Sequence, residues 1–159
     1  MEPVNIDLKP YYINQFDANF KKIRFANNSK VGQYGCGVCC AAMIICWKLD
    51  ISTVNGKQSV LKKVIADATN FNGSLVYTNV ACRGRVFQFD THVVDMAGSI
   101  LKREPAICHL NGHFVLVTGY DPSKPGFEAY IVLDPISKKN TNLKEPMRKY
   151  GSKIIKKIT

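Results

Sequence analysis

The sequence predicts an α+β fold, and three observations predict it. Residues 36–49 are apolar over a helical length, residues 56–70 repeat apolar side chains at helical spacing, and from residue 105 the pattern changes to short β-rich runs between turn signals. A helical N-terminal half should therefore pack on a C-terminal antiparallel sheet. The 159 residues are enough for one domain spanning 1–159, and no repeat, low-complexity tract or long linker divides them.

Residues 1–30 are polar and aromatic with few periodic signals, and are read as a surface wrap or a short strand. The first strong element runs from Cys36 to about Leu49. Gly35 and Gly37 flank its start, and Cys39-Cys40-Ala-Ala-Met-Ile-Ile-Cys-Trp47 is apolar on nearly every side. Helices of that kind lie at the centre of a domain. A second helix is expected over Gly56–Asn70, where Val60, Leu61, Val64 and Ile65 follow the 3.6 period. A third is expected over Asp90–Arg103, capped by Asp90 or Thr91 and stopped by Pro105, with His92 on its surface.

The strands follow. Ala106–Leu110 is short and apolar. Asn111-Gly112 is the favoured dipeptide of a two-residue type I′ hairpin turn. His113–Tyr120 is rich in β-branched and aromatic residues, 121–126 reads as a loop, and Phe127–Asp134 is a further strand ended by Pro135.

The net charge is +10. It suits contact with an anionic polymer, although the basic residues are spread along the chain with a late cluster from Lys138 to Lys157. No nucleic-acid motif accompanies them, so a nucleic-acid-binding protein that only retains the fold is the weakest of the alternatives. No apolar run reaches the roughly 18–20 residues of a membrane span. The opening Met-Glu-Pro-Val-Asn-Ile-Asp lacks the pattern of a signal peptide, which points to a cytoplasmic protein or one released at lysis. Four of the six cysteines crowd into one apolar helix, so reduced thiols are expected rather than a disulfide framework.

Cysteine catalysis needs a thiolate, a base and a group that orients the base. Cys36 stands where a helix begins, and the helix N-terminus favours negative charge there. Gly35 and Gly37 are expected to let substrate approach the backbone, and the Cys36 N–H to serve an oxyanion. Pairing Tyr120 with Phe127 across the loop puts His113 directly opposite Asp134, at the spacing of a His–carboxylate pair. Pairing Leu110 with His113 across the Asn-Gly turn sends His109 to the other face. His113 is therefore preferred as the base.

Three ordered blocks now stand out: Gly-Cys-Gly-Val-Cys-Cys-Ala-Ala-Met (35–43), Gly-His-Phe-Val-Leu-Val-Thr-Gly-Tyr-Asp (112–121) and Tyr-Ile-Val-Leu-Asp-Pro (130–135). Over roughly residues 30–140 the chain resembles the bacteriocin-processing-type cysteine peptidases. These are small papain-like domains related to the double-glycine leader peptidases, with stand-alone members in bacteria and phages. The resemblance implies Cys36 as nucleophile, His113 as general base and Asp134 as orienter. It also implies a Cys-bearing helix packed against the sheet that bears His and Asp, with no cofactor. The family usually places an oxyanion-hole Gln six residues before the Cys. Here that position is Lys30, and Gln33 is taken as its substitute ahead of Asn27 and Asn28.

Two other chemistries compete for the same residues. Cys36-Gly-Val-Cys39 fits a C-x-x-C redox motif, but a loop precedes it where a thioredoxin-like fold wants a strand. Cys108-His109 is adjacent rather than spaced, and Cys82 is isolated, which disfavours zinc. The leading expectation is a thiol hydrolase of a peptide-type bond in a leader peptide, a cell-wall peptide or a phage or host protein. The alternative is a non-catalytic module on the same fold that binds a protein or polyanion through its basic surface.

Overall fold

The computed structural model describes residues 2–91, 95–151 and 153–159. In chain order the elements are β1 (Val4–Asn5), α1 (Val31–Tyr34), α2 (Cys36–Leu49), α3 (Val54–Ala68), β2 (Val80–Cys82), β3 (Arg85–Phe87), β4 (Phe89–Asp90), α4 (Met96–Leu101), β5 (Ala106–Leu110), β6 (His113–Tyr120), β7 (Tyr130–Leu133), α5 (Lys144–Tyr150) and β8 (Lys153–Ile158). The fold is α+β, with antiparallel sheets. Among the described residues no helix is long and apolar enough to cross a membrane.

The apolar stretch behaves as its composition demands. Every residue from Gly37 to Cys46 is buried, so α2 is a central helix. Its first glycines are tightly packed. A Cβ on Gly35 would stand 2.5 Å from the Val31 carbonyl oxygen, and one on Gly37 would stand 2.9 Å from Leu75 and 3.1 Å from the Phe114 ring. Close packing within the chain is enough to require glycine at both positions.

α3 starts two residues earlier than expected because Thr53 caps it, its hydroxyl accepting the Gly56 N–H at 3.1 Å. It ends at Ala68 rather than Asn70. α4 is shorter than the Asp90–Arg103 helix expected from the sequence. Phe89 and Asp90 pair instead with Ile158 and Lys157 of β8, and the cap is Asp95, which accepts the Gly98 N–H. His92 lies outside the described residues.

The main sheet runs β1-β6-β5-β8-β4, with β7 on the other edge of β6. On one face Ile107, Leu116 and Phe114 meet α2 and α3. On the other, Cys108, Leu110, Val115, Val117 and Val132 meet Met96 and Ile100 of α4 and Leu143 beside α5. This alternation is the period of two expected of strands covered on both faces. β5 and β6 pair as read, Leu110 with His113 and His109 with Phe114. The turn between them is not type I′, because only Gly112 takes positive φ, 80°. A type I′ geometry falls at Arg83-Gly84 (φ 49° and 77°), between β2 and β3, a hairpin the sequence pattern did not signal.

Candidate active site

Three elements converge on one end of the sheet. α2 brings Cys36 as its first residue, β6 brings His113 as its first residue, and Asp134 follows the last residue of β7. The contact between Gly37 and the Phe114 ring seats the start of β6 on the start of α2.

His113 Nε2 lies 2.9 Å from Asp134 Oδ1, and both residues are buried, 3% and 1% exposed. A carboxylate only accepts, so Nε2 carries the proton of this bond. Nδ1 is then the nitrogen left for Cys36, whose half-buried thiol is near enough to act on the charge of the ring. Burial pushes the His113 pKa down. The hydrogen bonds with Asp134 and then Cys36, and the charges of both, outweigh burial and hold it up at about 9. The ring thus favours the imidazolium form between two groups that bear or can bear negative charge.

The pairing that achieves this is not the one expected. Residues 126–129 form a 3-10 turn where the sequence reading placed the start of a strand, so Tyr120 meets Tyr130 rather than Phe127. Near the site Leu116 meets Leu133. Carried one residue further, that register sets Asp134 opposite Val115, diagonal to His113 and on the same face. The side chains span the diagonal.

Asp134 is held on every side. Oδ1 also accepts the Ile136 N–H at 3.1 Å, Oδ2 accepts Asn140 Nδ2 at 2.9 Å, and its carbonyl accepts the Tyr12 hydroxyl at 2.6 Å. Tyr150 of α5 packs on the His113 ring with centroids 4.6 Å apart and restricts its rotation. Sequence reasoning missed Tyr12, Asn140 and Tyr150. None sits in a motif, and their link to the site is purely spatial.

Gln33 lies on α1, exposed, with its Oε1 accepting the Lys30 N–H at 3.0 Å as a helix cap. That bond commits the oxygen and leaves Nε2 as the free-facing donor end of the amide. A second glutamine went unremarked. Gln15 is 4% exposed, its N–H donates to the Pro135 carbonyl at 2.8 Å, and its Nε2 approaches the Val31 carbonyl at 3.4 Å. Its Oε1 is buried without a hydrogen-bond partner. Gln15 therefore bridges the residue after Asp134 and the short helix before Cys36.

Comparison with protein-family models, with curated proteins and with solved structures returns no match for this chain.

The other thiols differ from Cys36 in setting. Burial pushes the thiol pKa of Cys39 and Cys40 well up and that of Cys46 up to about 12, while Cys82 is half-buried and also raised by burial. These groups stay protonated at neutral pH, and Cys39 is a poor partner for C-x-x-C redox chemistry. His109 stacks on Phe114 with ring centroids 3.9 Å apart, and it is His113 that pairs with Asp134. A cavity of about 620 Å³ between the N-terminal segment and β7 includes Tyr12, Asp134 and Asn140 but neither Cys36 nor His113. It touches the site only through the Asp134 surroundings.

Proposed function

We propose that the chain is a papain-like cysteine peptidase, of the bacteriocin-processing type that its sequence resembles, acting on a peptide or protein substrate. One observation carries the reading: His113 is hydrogen-bonded to the buried carboxylate of Asp134 and stands near enough to the Cys36 thiol for each to act on the other's charge. A merely structural histidine has no need of both a thiol beside it and a fully hydrogen-bonded carboxylate.

The chemistry follows from the geometry. Cys36 Sγ, its proton passed to His113, attacks the carbonyl carbon and forms a C–S bond, and the electron pair moves to the carbonyl oxygen. The Cys36 N–H at the head of α2 and the Gln33 amide donate to that oxyanion. The His113 imidazolium gives its proton to the departing amine as the C–N bond breaks, leaving a thioester. His113 Nδ1 then takes a proton from water, the hydroxide adds to the thioester, and Sγ leaves as the acid product departs. Asp134, held by Asn140, Tyr12 and the Ile136 N–H, keeps the ring in the tautomer this needs.

Cys36→Ala should abolish hydrolysis of a peptide library and labelling by a thiol-reactive peptide electrophile. Turnover retained in that variant overturns the proposal. The exposed, cap-bound position of Gln33 favours a second reading, a non-catalytic module that holds a peptide without cutting it. Rapid alkylation of Cys36 alone among the six cysteines supports the enzyme. Slow, uniform alkylation supports the module.

A further inference from the structure

α3 and the β2–β3 hairpin flank a trough of about 350 Å³. Lys62 and Lys63 line it from the helix and Arg83 from the hairpin, while Ser59, Ala66, Ala81 and Cys82 make up the rest of the lining and keep it small. Ser59, Lys62, Lys63 and Ala66 share one helical face by their spacing. Next to the trough a second pair of cations meets, where Arg85 Nη1 donates to the Lys48 carbonyl at 3.3 Å.

Nearby carboxylates are already engaged. Asp67 pairs with Lys63 at 3.3 Å and accepts the Ala81 N–H at 3.0 Å, and Glu104 pairs with Lys157. Two features here work against stability. Arg83 sits at φ 49°, in the left-handed region where Gly or Asn is the ordinary choice. Lys48 and Arg85 crowd each other: burial first, and then the Arg85 charge, push the Lys48 pKa down against the pull of Glu104. Cations kept at such cost are better explained by a partner than by folding.

We propose that this surface binds the phosphate backbone of nucleic acid without reading its bases. Cations on both walls of a trough lined by small residues suit an extended chain of charges. The arginine forks match phosphate oxygens in pairs. On the hairpin side stacking on bases is not offered, since Phe87 is buried and Lys48 lies over the Trp47 ring. A membrane surface wants an apolar face to insert, and the exposed apolar side chain on the hairpin strand is the single Val86. Lys48 follows Cys36 by twelve residues of α2, so the patch begins about 18 Å along the helix axis from the nucleophile and leaves it open. The inference stands apart from the peptidase proposal.

Fluorescence anisotropy of the full chain with a labelled duplex of about 20 base pairs, and with a single strand of the same length, tests it. The four cations without a carboxylate partner among the described residues, Lys48, Lys62, Arg83 and Arg85, predict a slope of log K against log salt of about −3 to −4 on the duplex. Lys62→Gln, Arg83→Gln and Arg85→Gln should each reduce it by about one, while Lys124→Gln leaves it unchanged. Arg83→Gly should weaken binding yet raise the Tm, opposite signs that a structural role does not produce. No binding at about 50 mM salt overturns the proposal. So does equal affinity for poly-glutamate of matched charge, tighter binding to vesicles of anionic lipid, or variants that bind like the parent.

Discussion

His113 Nε2 and Asp134 Oδ1 meet at 2.9 Å although the two residues are not directly opposed in the sheet. A bulge makes this possible. The pairs Tyr120–Tyr130 and Gly119–Ile131, carried straight on, would set Asp134 opposite Leu116, on the face away from His113. The shift between Val117 and Gly119 moves the later pairs by one, and Asp134 falls opposite Val115, on the face of His113. One extra residue in β6 thus decides whether the Asp134 carboxylate reaches His113 at all.

The raised pKa of His113 gives stability a pH dependence. The folded value of about 9 lies above the ordinary 6.5, so the charged ring stabilises the fold in full below about pH 6.5, and this is lost as pH rises through 9. The residue is 3% exposed, and the difference corresponds to about 3 kcal/mol. Urea midpoints should fall between about pH 6 and about pH 10, and His113→Gln should flatten that dependence. Turnover should decline above pH 9 as the general acid is lost.

Asn140→Ala removes the Nδ2 donor from Asp134 Oδ2. Hydrogen bonds to charged groups contribute about 1.5–3 kcal/mol, so kcat/KM should fall about tenfold or more. Far-UV circular dichroism should stay unchanged, since Asn140 lies in the loop after β7.

The two glutamines should separate by readout. Gln33→Ala should lower kcat by about 10²-fold with little change in KM, as the loss of an oxyanion donor does. Gln15→Leu should keep or raise the Tm, because it removes a buried oxygen that has no partner. Turnover should nevertheless fall, because the bridge from α1 to the Asp134–Pro135 segment is weakened. Steady-state kinetics and thermal melts on both variants check this.

Gly37→Ala places a methyl group against Leu75 and the Phe114 ring. Overpacking costs about 1–3 kcal/mol, and the helix preference of Ala over Gly returns about 1, so the net loss of stability should be small, about 0–2 kcal/mol. Activity should fall further than that, since Phe114 adjoins His113. Chemical denaturation and kcat/KM measured together check the split.

Local pattern was enough for the α+β class, for the central helix from Cys36 to Leu49 and for the pairing of Leu110 with His113. Each rests on composition, on a period of 3.6 or 2, or on a two-residue turn, all of which are written in neighbouring residues. The same signals named Cys36, His113 and Asp134 as a candidate site, although on a register that was off by two. That error kept the correct face only because two is the period of a strand. Residues 153–158 read as part of a basic cluster and became β8 because β5 and β4 were there to pair with. The bulge in β6, the Asn140 and Tyr12 bonds to Asp134, the Tyr150 ring on His113 and the buried Gln15 had no local signature. They join positions far apart in sequence, so only the assembled chain could bring them together.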